Sequence, residues 1–302
     1  AIVQVQTWQQ MVDAAEEQRT ALNGIGRLTR QRNDEGATSL SDVVQTDARI
    51  ESARSQLAQY QANLDSSKAT LMSFLGWNSL NGISNEFPVK LDSSCDVVKP
   101  DDKLVPAVLA AWAQANVAQA NLDIANAQMT PTISLVPAVQ HYLNDKYPSH
   151  EVLDKTQYSA WVKVEMPLYQ GGGLTARRNA ASHAVESAQY SIQRTRLEVR
   201  QKLLESRSQA MSLATALQIL RRQQRLSEQT RELYQQQYLD LGSRPLLDVL
   251  NAEQEVYQAR FAELQTQNQL RQLQLNCLYN TGSLRQAFAL NNRSIQSVEI
   301  KL

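Results

Sequence analysis

The residues able to do chemistry in this sequence are few and far apart, and two aspartates among them are placed alike. Asp42 lies in "GATSLSDV" (Gly36–Val43) and Asp248 in "GSRPLLDV" (Gly242–Val249). A carboxylate in the first turn of a helix interacts favourably with the exposed N–H groups and the positive end of the helix dipole, and that role alone accounts for both acids. A second role opens if chains associate so that the tips meet, because a ring of carboxylates selects cations at a constriction. The remaining groups offer less. His141, His150 and His183 fall on an expected strand, loop and helix, with no His-x-x-x-His spacing for a metal. "GGGL", Gly171–Leu174, has no following Gly-Lys-Ser/Thr and no dinucleotide fingerprint, so it reads as the joint between a strand and a helix. Cys95 and Cys277 are the two cysteines; they form a disulfide in an oxidising compartment, or stand as two separate core thiols. No catalytic set, metal site or cofactor is expected, and enzyme readings come last.

The elements that carry these residues are duplicated. The tip segments stand 242 − 36 = 206 residues apart, and the same offset carries Leu40 onto Leu246, Asp42 onto Asp248, Leu64 onto Leu270 and Gly76 onto Gly282. A gap-free repeat of that length is a duplicated structural unit. Residue 1 aligns with residue 207, so the first copy lacks the counterpart of residues 104–206, and an N-terminal part is expected to precede this sequence. Lys plus Arg and Asp plus Glu both total 30 in 302 residues, a net charge of zero that implies no broad affinity for nucleic acid or acidic membranes. Aromatic residues make up 6% and glycines number 10, which suits long helices packed through small side chains.

Six segments follow from the periodicity. Residues 1–76 read as a helical hairpin with its tip near 34–43, where Gly36 ends one helix and Ser39 with Asp42 forms a Ser-x-x-acid start for the next. Val43, Ile50, Leu57, Leu64 and Leu71 recur every seven residues, flanked by Ala53, Tyr60 and Phe74, as in a coiled-coil seam. Residues 77–103 form a connecting segment with a short strand around Val89–Leu91. Residues 104–130 hold a helix from Pro106 to about Met129, with Ala110, Ala113, Ala118, Ala120, Ala125 and Ala127 permitting close approach. Residues 131–170 form a β-hairpin, residues 171–283 the helices of the second copy with a tip near 240–249, and residues 284–302 a C-terminal segment. The second return helix starts at Pro245; Arg271 interrupts its seam and Phe261 compensates.

The hairpin carries the membrane signal. In "TISLVPAVQHYL" Ile133, Leu135, Val139 and Leu143 alternate, and in "QYSAWVKVEMPLYQ" Tyr158, Ala160, Val162, Val164, Met166 and Leu168 oppose Ser159, Lys163 and Glu165. Strands of about ten residues with this alternation match one hairpin of a transmembrane β-barrel. A soluble hairpin is the other reading, and Pro137 and Pro167 confine both strands to edges, ends or bulges.

The join "MPLYQGGGL" (Met166–Leu174), the two Gly-x5-Asp-Val tips and the "LG" and "TG" ends at Gly76 and Gly282 together resemble the TolC family of outer-membrane channels. The resemblance implies a mainly α protein of long antiparallel coiled-coil hairpins in a periplasmic α-barrel, with strands in an outer-membrane β-barrel shared by a homotrimer. Four strands per protomer are implied, of which one pair is visible here. By the same resemblance Asp248 lines the periplasmic aperture, while Asn251 replaces the second acid of the usual "DVLDA". Gly36, Leu40, Ser41, Asp42, Gly242, Ser243 and Arg244 lie at tips that dock a periplasmic adaptor, itself coupled to an inner-membrane transporter, either ABC-type or proton-driven. "PLYQGG" leans to the type I protein-secretion branch, which includes exporters of large adhesins; multidrug efflux uses the same architecture. A periplasmic coiled-coil adaptor or scaffold is the competing reading, and it has no use for a lipid-facing hairpin.

Overall fold

The computed structural model describes all residues except 81, 88–90, 92, 97–99, 144–155, 241, 291–293, 296–297 and 300–302. The expected strand at Val89–Leu91 thus falls mostly outside the described residues, as does His150, while Leu91 itself is buried in a short turn. In chain order the elements are α1 (Ile2–Asp34), α2 (Leu40–Leu75), α3 (Pro106–Ala127), β1 (Thr132–His141), β2 (Thr156–Glu165), α4 (Gly173–Leu239), α5 (Leu246–Thr281), α6 (Leu284–Ala287) and the two-residue strands β3 (Ser294–Ile295) and β4 (Val298–Glu299). They group into two compact units, residues 1–101 with 200–302, and residues 102–199.

In the first unit the duplication is visible as two helices of equal length. α2 and α5 each contain 36 residues, and both their starts and their ends differ by the repeat offset, 246 − 40 = 281 − 75 = 206. Each closes on a glycine in the left-handed conformation, Gly76 at φ 67° and Gly282 at φ 79°, where a side chain would be strained. They start differently. α2 has a complete capping box, the Ser39 hydroxyl accepting from the Asp42 N–H while the Asp42 carboxylate accepts from the Ser39 N–H. α5 has Pro245 as an extended N-cap rather than as a helical residue, so it has no side-chain cap and its helix begins one residue later than expected.

The core of this unit runs as successive clusters along the helices. Leu22, Ile50, Ala53, Tyr238, Leu246, Val249 and Leu250 form one cluster next to the tips. Met11, Ala14, Ala15, Tyr257 and Phe261 form a second, where Tyr60 meets Phe261 edge-on with ring centres 5.2 Å apart. Val5, Val12, Leu64 and Leu71 form a third. Gly26 sets the spacing of α1 and α2, since a Cβ there would come within 2.9 Å of Ile50 Cδ1. The heptad seam of α2 is buried at Ile50, Leu64 and Leu71. Phe74 departs from expectation: it is 79% exposed, whereas Leu71 one turn earlier is buried. Cys95 and Cys277 are joined by a disulfide with Cα atoms 5.2 Å apart, in a cluster with Leu203 and Ala210.

The second unit comprises α3, the β1–β2 hairpin and the first part of α4. Val105, Val108 and Val199 pack together, as do Ala111, Ala115 and Ile192, and Arg196 pairs with Asp102 at 2.8 Å. The contacting alanines are therefore not those the composition suggested: Ala110, Ala113, Ala120 and Ala127 are exposed, and of the expected six only Ala125 is fully buried. An alanine-rich stretch has small residues on every face, so only the partner decides which face is covered. Gly171 and Gly172, both at positive φ, turn the chain from the hairpin into α4. Among the described residues no helix is long and apolar enough to cross a membrane.

Candidate functional site

Three structures carry the residues singled out by sequence: two helical tips and the β1–β2 hairpin. At the first tip, Thr38 Oγ1 donates to the Asp42 carboxylate at 2.6 Å and the Ser39 N–H adds a second bond. The Thr38 bond is the largest cause holding the Asp42 carboxyl below its ordinary value, with the Ser39 bonds in support. Gly36, Leu40 and Ser41 face solvent around this capped turn, Leu40 with 68% of its surface open.

The second tip uses the equivalent aspartate for a different purpose. Arg244 Nη1 donates to Asp248 at 3.1 Å, its Nε donates to Gln237 Oε1 at 3.0 Å, and its guanidinium lies 4.1 Å above the Tyr234 ring. Arg244 is thereby held across the turn, half-buried, while Gly242 and Ser243 remain exposed. Leu246, the counterpart of Leu40, is only 3% exposed and sits in the cluster with Leu22 and Ile50.

Polar links attach the second hairpin to the first. Arg32 donates to the Tyr238 carbonyl at 3.3 Å and stacks on the Tyr238 ring, Arg49 bonds Gln254 and donates to Asn251 at 3.2 Å, and Arg260 pairs with Glu17. Asn251 is thus tied to α2 through Arg49. Sequence reasoning missed Arg32, Arg49 and Arg260, yet a signal for two of them was present. Arg32 and Tyr238 are 206 apart and Arg49 and Gln254 are 205 apart, so residues at the repeat offset lie side by side.

Glu253 was also missed. Its side chain is 1% exposed, Oε1 has no hydrogen-bond partner, Gln235 approaches Oε2 at 3.5 Å, and Arg231 Nε stands 3.9 Å away. Desolvation pushes this carboxyl above its ordinary value, and Arg231 opposes the shift only in part. The counterpart at the repeat offset, Asp47, instead pairs with Arg30 on an open surface. The neighbours of Glu253 one turn away, Val249, Leu250, Val256 and Tyr257, are all apolar and buried, so its place on the α5 seam was the signal in the sequence.

The hairpin has two unlike faces. Antiparallel register sets Ile133 against Val164, Leu135 against Val162, Pro137 against Ala160 and Val139 against Tyr158 on one face. Thr132 with Glu165, Ser134 with Lys163, Ala138 with Ser159 and Gln140 with Gln157 share the other. Each strand has ten residues. Leu143, Met166 and Leu168 lie beyond the strand ends and take no part in the alternation, Pro167 following β2 where it removes no ladder bond. His141 closes the ladder through Thr156 at 2.8 Å, and His183 stands 3.7 Å from Glu186 on α4.

The sequence profile of the "Outer membrane efflux protein" family matches residues 1–77 and 104–280. The chain is 26% identical to the proteases secretion protein PrtF of Dickeya chrysanthemi over 92% of its own length and 63% of that protein. It is 24% identical to the outer membrane efflux protein BepC of Brucella suis, over 89% of this chain and 58% of that one. The chain therefore spans about three fifths of the length of these curated relatives. Its fold is similar to that of a membrane protein from Pseudomonas aeruginosa, with TM-score 0.71 and 17% identity over 93% of this chain and 63% of that one. The outer membrane protein VceC from Vibrio cholerae gives TM-score 0.70 and 18% identity over 93% and 67% of the two chains. Tips, hairpin, fold and profile agree, and the chain belongs to the outer membrane efflux protein family of TolC-type channels.

Proposed function

We propose that this protein forms a trimeric exit duct, a β-barrel in the outer membrane continued by a periplasmic α-barrel, through which substrate moves passively. The two-faced β1–β2 hairpin carries the reading. Strands of ten residues, apolar on one face and polar on the other, suit a wall with lipid outside and water inside. A coiled-coil adaptor or scaffold has no need of such a surface. Oligomerisation is supported by an exposed apolar stripe on α4, made by Leu204, Met211, Ile219, Leu226 and Leu233, which a neighbouring protomer would cover. The chain performs no covalent chemistry in this reading and needs no cofactor.

The second tip is the gate. In a trimer, Asp248 and Asn251 of each protomer face the periplasmic aperture, and the links from Arg32, Arg49 and Arg260 hold the inner hairpin closed against the outer one. Opening requires that these contacts be exchanged for others made only in the open state. The exposed tip residues Gly36, Leu40, Ser41, Asp42, Gly242 and Ser243, with Arg244 bracing the turn, meet a periplasmic adaptor that couples the duct to an inner-membrane transporter. Type I protein secretion with an ABC transporter is the cargo system favoured by the "PLYQGG" join and by the likeness to PrtF. The likeness to BepC favours small-molecule efflux as the second possibility.

Single-channel conductance of the full-length protein in planar bilayers tests the duct. Discrete cation-preferring openings are expected. Asp248→Asn should do more than abolish the preference, because Arg244 keeps its charge when its partner is neutralised, and the aperture should lean towards anions. Well-folded, membrane-extracted protein without conductance would return the scaffold reading. Gly242→Val, strained at φ 59°, should weaken recovery of the adaptor by pull-down.

A further inference from the structure

One cross-strand pair on the polar face of the hairpin is out of character. Register sets Val136 opposite Trp161, between the Ser134–Lys163 and Ala138–Ser159 pairs. The indole N–H donates to Ser159 Oγ at 3.2 Å, two residues back on the same strand, which fixes the ring along the polar face and away from Tyr158 and Val162. It is 64% exposed. Aromatic anchors of outer-membrane barrels sit at the ends of strands on the lipid side. Trp161 is the sixth of ten residues in β2 and points the other way, so neither its depth nor its direction suits an anchor. Nor does packing within the hairpin require it, since Val136 leaves most of the ring open.

We propose that Trp161 is a substrate-contacting residue of the barrel lumen, offering its indole face to aromatic and cationic groups of the molecule in transit. The inference rests on the barrel-wall reading of the hairpin. In a threefold assembly three indoles stand at one height, with Val136 beside each, and make an apolar band halfway along an otherwise polar passage. The adjacent Lys163 and Glu165 pair with each other at 2.5 Å, so this stretch of wall carries no unbalanced charge to repel a cation. An exposed aromatic–cation contact is weak, as a passage requires: it slows and orients the cargo without trapping it.

The test is block of single-channel current in the full-length protein by tetraphenylphosphonium, an aromatic cation. Trp161→Ala should raise the half-blocking concentration by roughly fivefold, the factor set by a cation–π contact at an exposed site, and Trp161→Phe should restore most of the block. Tyr158→Ala, on the opposite face, should leave it unchanged. Open channels with the same half-blocking concentration in Trp161→Ala as in the parent protein would overturn the role of Trp161 and leave the duct intact. Folded parent protein that forms no channel would overturn the duct itself, and this inference with it.

Discussion

The two tips descend from one segment and have diverged in what their shared aspartate does. At the first, Asp42 is bonded by Thr38 and Ser39 within its own turn, which fixes a helix start and leaves the surrounding residues open. At the second, Asp248 holds Arg244, and Arg244 reaches Gln237 and Tyr234 on the opposite helix. A local cap survives any movement of the hairpin as a body. The Arg244 clasp lies within its own hairpin and survives the same movement, whereas the leucine buried against Leu22 and Ile50 of the neighbouring hairpin must be repacked when it moves. In the proposed duct the first tip would serve as a fixed surface and the second as the one whose packing changes.

The largest effect that would break this comparison comes from the equivalent leucines. Leu246→Asp should lower stability by about 3 kcal/mol or more, by placing an unpaired charge in the cluster next to the tips, whereas Leu40→Asp should change it by less than about 0.5 kcal/mol. Urea midpoints that fall equally in both variants would erase the distinction. Next is Glu253. Removing its charge with Glu253→Gln should stabilise the protein near neutral pH, since burial raises this carboxyl despite Arg231 and its ionisation therefore opposes folding. The sign follows from linkage. A carboxyl whose folded value is raised costs nothing in acid, and its penalty grows as pH climbs from the unfolded value of 4.5 towards the raised one, so the gap between variant and parent should widen over that rise.

Smaller effects sharpen the same contrast. Ser39→Ala should cost about 1 kcal/mol through loss of the cap, with no counterpart at Pro245, which has no capping side chain. The Asp42 carboxyl, lowered in the folded state, contributes in full above its unfolded value of 3.8 and loses that contribution as pH falls through the lowered value. Parent and Asp42→Asn should therefore converge in acid. Arg244→Ala should cost least, roughly 0.5 kcal/mol for a partly exposed ion pair and ring contact, read as a small fall in the urea midpoint.

Much of this architecture was legible because it depends on local signals. Ser39 with Asp42, the glycines at the helix ends and the alternation in β2 each act through neighbours in sequence, and the repeat offset multiplied their weight. What sequence could not distinguish was which of two equivalent residues is covered. Leu40 and Leu246 occupy the same repeat position, and the difference between them lies in Leu22, Ile50 and Tyr238, which pack around one only. Phe74 shows the same limit, since a heptad position names a face and not what covers it. Among the alanines of α3 even the face was undetermined. Arg49 belongs to a contact between the copies, hinted at only by its 205-residue spacing from Gln254, while Glu253 is an acid on the apolar seam of α5 that packs against α4.

The matched lengths of α2 and α5 act as a ruler. At 1.5 Å per residue each helix is about 54 Å long, and the bond from Arg32 to the Tyr238 carbonyl shows that the two turns stand level. An insertion in one helix must therefore be answered by its antiparallel partner to keep the hairpin in register, and by both helices of the other copy to keep the rim flat. Length in this protein can change only in fours, and each change must be a whole number of heptads if the seams are to stay facing one another. The duplication that made the molecule has also locked its height.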